Sequence, residues 1–320
     1  MKQNRTKAWR YYLRWVLWIL IFQIVLANIS ASIYAYKFTH LYDGPPPAAT
    51  NDNVFTRTWK LFVGPKFYKN PEEHEPSFPY ESFKLKLEDD LQIDGWYSHT
   101  DSSKGCIILL HGMTMNKSLL LNEASKFKQW GYSVLMIDFR AHGMSDGHST
   151  SFGIRETEEA RMAFEWAKQK GNTKIIFYGI SLGAVVAIKV AAENKIQPTA
   201  IIADAPFADL HSHLQARSRE IGFPSEPFGA LVTMWIGIEK GFNGFNHDVN
   251  DYAQKVQCPV LLECGDSDRY VSVEEIKKLY NQFPSGQKKL ALYAGLDHES
   301  YLHAAPLNWE TEVRSFLAGL

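Results

Sequence analysis

The chain has 320 residues, of which 45% are hydrophobic and 22% charged, and its formal net charge is −1. This is the composition of a globular protein with a sizeable core, and the balanced charge gives no indication of a nucleic-acid partner. Three cysteines are too few for a disulfide framework, so they leave the redox compartment open.

The first 37 residues carry six basic side chains and no acidic one. Within them, the 22 residues Trp15–Tyr36 are uncharged. As a helix they would extend about 33 Å, enough to cross a hydrocarbon core of about 30 Å. Five basic residues precede this segment, so residues 1–14 are predicted as a basic cytoplasmic tail. We expect a single-pass anchor over 15–36 in the cell membrane, with the rest of the chain on the extracytoplasmic side.

Two other interpretations of this segment stay open. In a cleaved signal peptide, Trp15–Leu26 would be the apolar region and Ser30-Ala31-Ser32 the cleavage site, and the body would be secreted. The third interpretation is a buried core helix, although such helices seldom run this long without a charge. The first two interpretations both place the body outside the cytoplasm.

Residues 37–80 are predicted as a lead-in linker, because Pro45-Pro46-Pro47 and further prolines break any long element. Within this linker, the stretch Thr56–Lys69 mixes aromatic and basic side chains. It could lie against a membrane surface or pack on the body.

From residue 82 onward, short apolar runs alternate with helical patterns. Eight runs are predicted as strands: Ser82–Leu87, Leu91–Ser98, Cys106–Leu110, Ser133–Ile137, Lys174–Tyr178, Ala200–Ala203, Val260–Cys264 and Lys288–Tyr293. Helical patterns such as Arg155–Lys170 and Ser181–Glu193 fall between them. The alternation predicts an α/β fold with a mostly parallel eight-stranded sheet and helices on both faces. The segment 206–256, after the sixth strand, is predicted as a small cap.

The pentapeptide Gly179-Ile180-Ser181-Leu182-Gly183 fits G-x-S-x-G between a predicted strand and a predicted helix, which is the context that the motif requires. The turn is so tight that glycine is needed on both sides of the serine. The helix N-terminus offers N–H groups and a positive dipole end to a developing oxyanion. Ser181 is therefore the candidate nucleophile, with Gly179 and Gly183 forming its elbow.

A serine nucleophile needs a base, and the base needs a carboxylate that orients it. His298 follows the last predicted strand, and both Asp266 and Asp268 follow the strand before it. Serine, aspartate and histidine thus occur in the order expected for this motif, each just past the carboxyl end of a strand. Either aspartate could in principle reach His298.

An oxyanion hole is predicted at the end of the third strand. The backbone N–H of Met113 could stabilise a tetrahedral oxyanion together with that of Leu182. The neighbouring His111 is expected to be structural. Neither a cofactor nor a metal is expected, because the sequence has no phosphate-binding glycine loop and the pair His211 and His213 has no partner at metal spacing.

Together and in this order, these segments resemble the α/β-hydrolase family, in particular its monoacylglycerol-lipase-like and serine-aminopeptidase-like branch. The resemblance covers about residues 80–320 and implies a catalytic domain over 81–320 that includes the cap. Ala141 stands where the family often has glycine, in a loop that is not the catalytic one.

The resemblance also distinguishes between the two aspartates. In the family the acid stands three residues after a glycine and three before a valine. Gly265, Asp268 and Val271 fit both spacings, whereas Asp266 fits neither. The implied triad is therefore Ser181, Asp268 and His298.

The activity that the resemblance implies is cleavage of an acyl ester of a small molecule or a lipid, through an acyl-enzyme intermediate. A peptide amide or a thioester is an alternative substrate for the same triad. A catalytically silent binding protein of the same fold is a rival of a different class. Epoxide hydrolases and haloalkane dehalogenases of this fold carry aspartate at the nucleophile position, so Ser181 argues against both.

Overall fold

The computed structural model describes residues 2–44, 53–70, 74–284 and 286–320; Pro45-Pro46-Pro47 lie outside these ranges. The first elements are helix α1 (Lys2–Thr39), strand β1 (Leu41–Tyr42), helix α2 (Val54–Val63) and strand β2 (Phe67–Tyr68), and β1 pairs with β2 in parallel. The predicted linker therefore contains a helix and two short strands. Asn53 caps α2, since its side chain accepts a hydrogen bond from the backbone N–H of Thr56 at 2.9 Å.

The eight predicted strands form one sheet, with bounds within two residues of the predicted ones. They are β3 (Glu81–Lys86), β4 (Gln92–Ser98), β5 (Cys106–Leu110), β6 (Ser133–Ile137), β7 (Ile175–Ile180), β8 (Ala200–Asp204), β9 (Val260–Gly265) and β10 (Lys288–Tyr293). Their order across the sheet is β10-β9-β8-β7-β5-β6-β4-β3. β4 pairs antiparallel with β3 and β6, and the other pairs are parallel. The predicted fold class is confirmed.

Nine helices follow β3 and β4 among the described residues. They are α3 (Leu121–Gln129), α4 (Glu156–Gln169), α5 (Leu182–Ala192), α6 (Leu210–Glu220), α7 (Phe228–Lys240), α8 (Val249–Ala253), α9 (Val273–Gln282), α10 (Tyr301–Ala304) and α11 (Pro306–Ala318). The segment predicted as a cap holds α6, α7 and α8, with a short 3-10 helix at Gly244–Asn246.

Helices cover both faces of the sheet, because each central strand is apolar on both sides. In β5, Cys106, Ile108 and Leu110 pack into the core on the side of α4 and α5. Ile107 and Leu109 pack into the core formed with α3 and α11. All five side chains are fully buried, which explains the uninterrupted apolar run of this parallel strand.

α1 is long and apolar enough, from Trp9 to Thr39, to cross a membrane by length and composition. Its first part is exposed along the apolar stretch: Trp18 is 66% and Phe22 62% exposed. No glycine or proline interrupts the helix between its ends, so a single rod continues from this exposed part into the body of the protein.

The last turns of α1 lie inside the protein core. Ala31, Tyr34, Ala35 and Phe38 are buried in the cluster that includes α4, α5 and the cap. Their spacing of three and four residues places them on one face of the helix. The predicted anchor ended at Tyr36 and was followed by a linker, whereas the helix runs to Thr39 and its last turns are part of the body.

Candidate active site

Ser181 lies at the turn between β7 and α5, with φ +52° and ψ −110°. Its backbone N–H donates to the carbonyl of Asp204 at 2.8 Å, which fixes the turn to the neighbouring strand. A Cβ on Gly183 would lie 2.0 Å from the carbonyl oxygen of Leu110, and one on Gly179 would lie 2.4 Å from the backbone of Gly183. Any side chain at these two positions would prevent the strand and the helix from packing together.

His298 and Asp268 are in direct contact. His298 Nδ1 lies 2.7 Å from Asp268 Oδ2, and the Asp268 side chain is fully buried whereas that of His298 is 19% exposed. The other carboxylate oxygen of Asp268 accepts the N–H groups of Tyr270 at 2.8 Å and Val271 at 3.0 Å. This carboxylate is therefore held by its own loop and presents one oxygen to the imidazole.

Asp266 has a different set of partners. Its Oδ1 accepts the backbone N–H of Gly295 at 2.7 Å and the hydroxyl of Ser267 at 3.1 Å. The bond from Gly295 connects the loops that follow β9 and β10. Of the two candidate acids, the structure brings Asp268 to His298 and gives Asp266 a place in the scaffold that holds the two loops together.

Ser181 and His298 line the same cavity, which has a volume of about 280 Å³. Met113, predicted to contribute an oxyanion N–H, lines it as well. Leu182 begins α5 directly after Ser181, and its side chain is buried in the core. The cavity is thus lined by the predicted nucleophile Ser181, the predicted base His298 and one of the two residues predicted to donate to the oxyanion, Met113.

His111 is structural, as the sequence predicted. It is fully buried; its Nδ1 donates to the carbonyl of Gly112 at 2.7 Å, and its Nε2 accepts the N–H of Phe139 at 3.0 Å. Burial lowers the pKa of His111 to about 3, so the imidazole is neutral and can keep both bonds. The residue joins the loop of Met113 to the loop that follows β6.

Ala141, in the loop that follows β6, has φ +65°. This left-handed conformation favours glycine, which is the residue that the family often has there.

Glu123, Asp204 and Arg217 also line the cavity, and no sequence motif marks them. Glu123 is buried and accepts the hydroxyl of Ser300 at 2.8 Å, and burial raises its pKa to about 7. Asp204, at the end of β8, accepts the hydroxyl of Tyr178 at 2.6 Å, and its pKa is also raised by burial. Arg217, on α6, contributes a cation. An acid at the end of an otherwise apolar strand was the only sequence signal for Asp204.

The apolar cap residues do not line this cavity. Phe223, Phe228 and Trp235 belong to the body's hydrophobic core, and Phe223 stacks on Phe228 with ring centroids 4.3 Å apart. Tyr34 of α1 meets both rings edge-on, at 5.7 Å and 5.2 Å. Among the described residues, no group of three His, Cys, Asp or Glu side chains is placed to hold a metal ion.

The chain is similar to one family model and to several known proteins. The model described as "Serine aminopeptidase, S33" matches residues 101–237 and 236–303. The uncharacterized protein YqkD of Bacillus subtilis is 30% identical over 210 residues, which is 64% of this chain and 68% of that protein. Protein ABHD12B of Homo sapiens is 27% identical, over 78% of this chain and 76% of its own length.

Two further proteins are similar to this chain, one in sequence and one in fold. The lysophosphatidylserine lipase ABHD12 of Xenopus tropicalis is 26% identical over 230 residues, which is 67% of this chain and 57% of that protein. A solved esterase of Pyrococcus furiosus has the same fold, with a TM-score of 0.65 and 24% identity over 88% of this chain and 98% of the esterase.

Proposed function

Because the chain belongs to the serine aminopeptidase S33 family and has the α/β-hydrolase fold, we propose that this hydrolase cleaves acyl esters through the triad Ser181, His298 and Asp268. The observation that carries the proposal is the 2.7 Å contact between His298 Nδ1 and Asp268 Oδ2, beside a cavity that His298 shares with Ser181. The elbow that holds Ser181 is further support.

In the first half of the reaction, Ser181 Oγ attacks the acyl carbonyl while His298 Nε2 takes its proton. Asp268 keeps the proton of the imidazole on Nδ1 and stabilises the imidazolium that forms. The N–H groups of Met113 and Leu182 donate to the tetrahedral oxyanion, and the N-terminus of α5 adds its positive dipole end.

In the second half, collapse of this intermediate breaks the bond to the leaving alcohol, which takes the proton from His298. A water then attacks the acyl-enzyme at the same carbonyl, with His298 again as general base. The carboxylic acid leaves and the proton returns to Ser181. All atoms and protons are accounted for by the ester and one water, so the scheme requires no cofactor.

We propose a lysophospholipid as the substrate class. Met113, Met115 and Ile180 give the cavity an apolar wall for an acyl chain, whereas Arg217 and Glu123 are charged or titratable groups for a polar headgroup. A relative is named a lysophosphatidylserine lipase, and such a lipid carries phosphate, carboxylate and ammonium groups. The guanidinium suits the two anionic groups, and Glu123, whose pKa burial raises to about 7, suits the ammonium once it is ionised.

We propose that α1 anchors the enzyme in a membrane and that the body lies on the extracytoplasmic side, since five basic residues precede the apolar stretch. The burial of Tyr34 and Phe38 in the body supports an uncleaved helix, because cleavage near Ser30-Ala31-Ser32 would cut α1 where it enters the core. Secretion after cleavage remains the alternative, and an N-terminal sequence of the mature protein beginning near residue 33 would establish it.

Fluorophosphonate labelling of full-length protein tests the nucleophile. Wild type should be labelled and should hydrolyse p-nitrophenyl esters, whereas Ser181→Ala should not be labelled and should lose at least about 10³-fold in turnover with an unchanged melting curve. Turnover that survives this substitution would rule out the mechanism. Folded wild-type protein that is not labelled would instead identify a catalytically silent binding protein.

The same triad could cleave a peptide amide or a thioester. A panel of lysophospholipids, aminoacyl amides and acyl thioesters at matched concentration separates these substrates. We expect the highest kcat/KM for the lysophospholipid ester; a higher value for an aminoacyl amide would make the protein a peptidase.

A further inference from the structure

A groove of about 790 Å³ lies where α1 enters the body. Its walls come from the last turns of α1, from α2, from the segment between α2 and β2, and from Ile221 at the end of α6. Four basic side chains line it: Lys37, Arg57, Lys60 and Lys66. Among its described lining residues none is acidic. The groove therefore combines an apolar lining with four basic side chains, and it is separate from the cavity of Ser181.

α2, which forms one wall of the groove, has large apolar side chains that face outward. Val54 is 81%, Phe55 78% and Trp59 57% exposed, and the helix buries no side chain. A helix of ten residues is too short to be stable by itself in water. Its exposed apolar side chains indicate an apolar environment outside the chain.

α2 is attached to α1 at the level where α1 enters the body. Ser30 Oγ donates to the carbonyl of Phe62 at 2.7 Å, and the Tyr34 hydroxyl donates to that of Leu61 at 2.5 Å. Lys37 Nζ donates to the carbonyl of Gly64, just after α2, at 2.9 Å. The position of α1 in a bilayer would therefore also set the position of α2.

The length of the exposed apolar part of α1 sets that position. Ser30 is the first fully buried residue of α1 among those whose side chains are described. The uncharged stretch before it, from Trp15 to Ile29, has 15 residues, or about 22 Å of helix. A hydrocarbon core of about 30 Å that begins at Trp15 therefore extends about 8 Å along α1 beyond Ile29. The turns of α1 that hold α2 must then lie at the boundary between hydrocarbon and headgroups.

We propose that α2 inserts its apolar side chains into the leaflet beside α1, and that the basic groove binds the headgroup of an anionic phospholipid of that leaflet. Ammonium and guanidinium groups donate charge-assisted hydrogen bonds to phosphate oxygens. Phe55 and Trp59 would contact acyl chains below the headgroup. This inference rests on the proposed insertion of α1 in a membrane, and the test of its charge requirement also uses the proposed ester hydrolysis.

The groove is also close to the proposed catalytic cavity. Arg217, in the last turn of α6, lines the catalytic cavity, and Ile221, four residues later, lines the groove. One helical turn, about 6 Å, separates the two positions along α6. A lipid held by the groove therefore lies next to the cavity, so anionic lipid should raise the hydrolysis of a lipid ester presented in a bilayer.

The first experiment measures the depth of α2 in nanodiscs made with the full chain. An environment-sensitive fluorophore is attached to Phe55→Cys. The control is Leu307→Cys, on α11, which packs on the opposite face of the sheet. Leu307 is also a large apolar residue and is 80% exposed. Brominated phospholipid should quench the label at 55 severalfold more than the label at 307. Equal quenching at the two positions would overturn the insertion of α2.

The second experiment measures the charge requirement. The triple variant R57Q/K60Q/K66Q is compared with K195Q/K277Q/K278Q, which removes three exposed cations elsewhere. Hydrolysis of a fluorogenic lysophospholipid is measured in discs with and without phosphatidylserine and normalised to hydrolysis of soluble p-nitrophenyl acetate. The stimulation by phosphatidylserine should fall by at least about tenfold in the first variant and stay at the wild-type level in the second.

Equal stimulation by phosphatidylserine in both triple variants would overturn the headgroup site. If R57Q/K60Q/K66Q folds poorly, Arg57→Gln alone is compared with wild type in the same way. Alkaline carbonate extraction of each preparation reports whether α1 is inserted, and the quenching experiment needs no activity. A failure of the proposed anchor or of the proposed triad is therefore distinguishable from a failure of the groove.

Discussion

The carboxyl edge of the sheet and the junction between α1 and the cap are built in different ways. At the sheet edge, Ser181, Asp268 and His298 lie within five residues of the end of a strand. Hydrogen bonds to the neighbouring strand, to the backbone of the Asp268 loop and between Asp268 and His298 fix them. At the junction, the ring of Tyr34 packs edge-on against that of Phe228, and the two residues lie 194 positions apart in the chain. The first region is specified by local motifs, and the second by complementary shapes of distant segments.

The comparison predicts that substitutions at the sheet edge change turnover, whereas substitutions at the junction change stability. The largest effect is expected for Asp268→Asn, because loss of the carboxylate frees the imidazole to adopt the wrong tautomer, which can cost about 10⁴-fold in turnover. Asp266→Asn is the matched control. It should lose about 1 kcal/mol of stability from a weakened bond to Gly295 and stay nearly normal in turnover. Initial rates on a p-nitrophenyl ester and melting curves provide both numbers; the reverse result would make Asp266 the acid.

The junction is tested by Tyr34→Ala, paired with Tyr36→Ala. Tyr34 is 1% exposed between Phe223 and Phe228, whereas Tyr36 is 47% exposed. Removing a buried aromatic ring should cost about 3–5 kcal/mol, and removing the exposed one much less. Thermal inactivation of detergent-purified protein measures the difference. If Tyr36→Ala were as unstable as Tyr34→Ala, the last turns of α1 would not pack on the cap as described.

Glu123, on α3, sharpens the comparison, because it lines the cavity at the sheet edge and yet should act on stability. Burial raises its pKa from 4.5 to about 7, so the folded protein holds a proton there that the unfolded chain releases. Wild-type stability should therefore fall as pH rises from about 4.5 to about 7, by up to about 3 kcal/mol. Over this pH interval the free energy of unfolding of Glu123→Gln should rise relative to that of wild type. Above the interval the difference between the two should stay constant.

Denaturant unfolding at pH 5, 6, 7 and 8 measures this difference. Glu299→Gln, which removes an exposed carboxylate from the same cavity, should follow the wild-type pH dependence. Parallel curves for wild type and Glu123→Gln would show that the carboxyl group ionises at its usual pKa.

The sequence was sufficient to predict what depends on neighbouring residues. Strand bounds followed from apolar runs, and the G-x-S-x-G pentapeptide predicted an elbow whose flanking glycines have no room for a side chain. Asp268 was distinguished from Asp266 by the spacing that the family resemblance implies, and the contact with His298 agrees with that choice. The strands and the elbow could be predicted because the conformation of a strand or a tight turn is determined by its own few residues.

Contacts between distant segments could not be predicted in the same way. Ala31, Tyr34, Ala35 and Phe38 have the spacing of a helix face, but the surrounding apolar residues of α1 conceal this pattern in a segment that otherwise resembles a membrane span. The cap aromatics could equally have lined an acyl site or packed on the body, and nothing in the sequence identifies α1 as their partner. The basic groove likewise combines residues from α1, α2 and α6.

The backbone of Ser181 has a consequence for selection on this protein. A non-glycine residue at φ +52° and ψ −110° lies in a sparsely populated conformation that costs of order 1–3 kcal/mol. Glycine would adopt the same conformation without that strain, so the fold would be more stable with the proposed nucleophile removed. A library screened for heat resistance alone would therefore favour inactive chains at this position, and only a parallel screen for turnover would retain the serine.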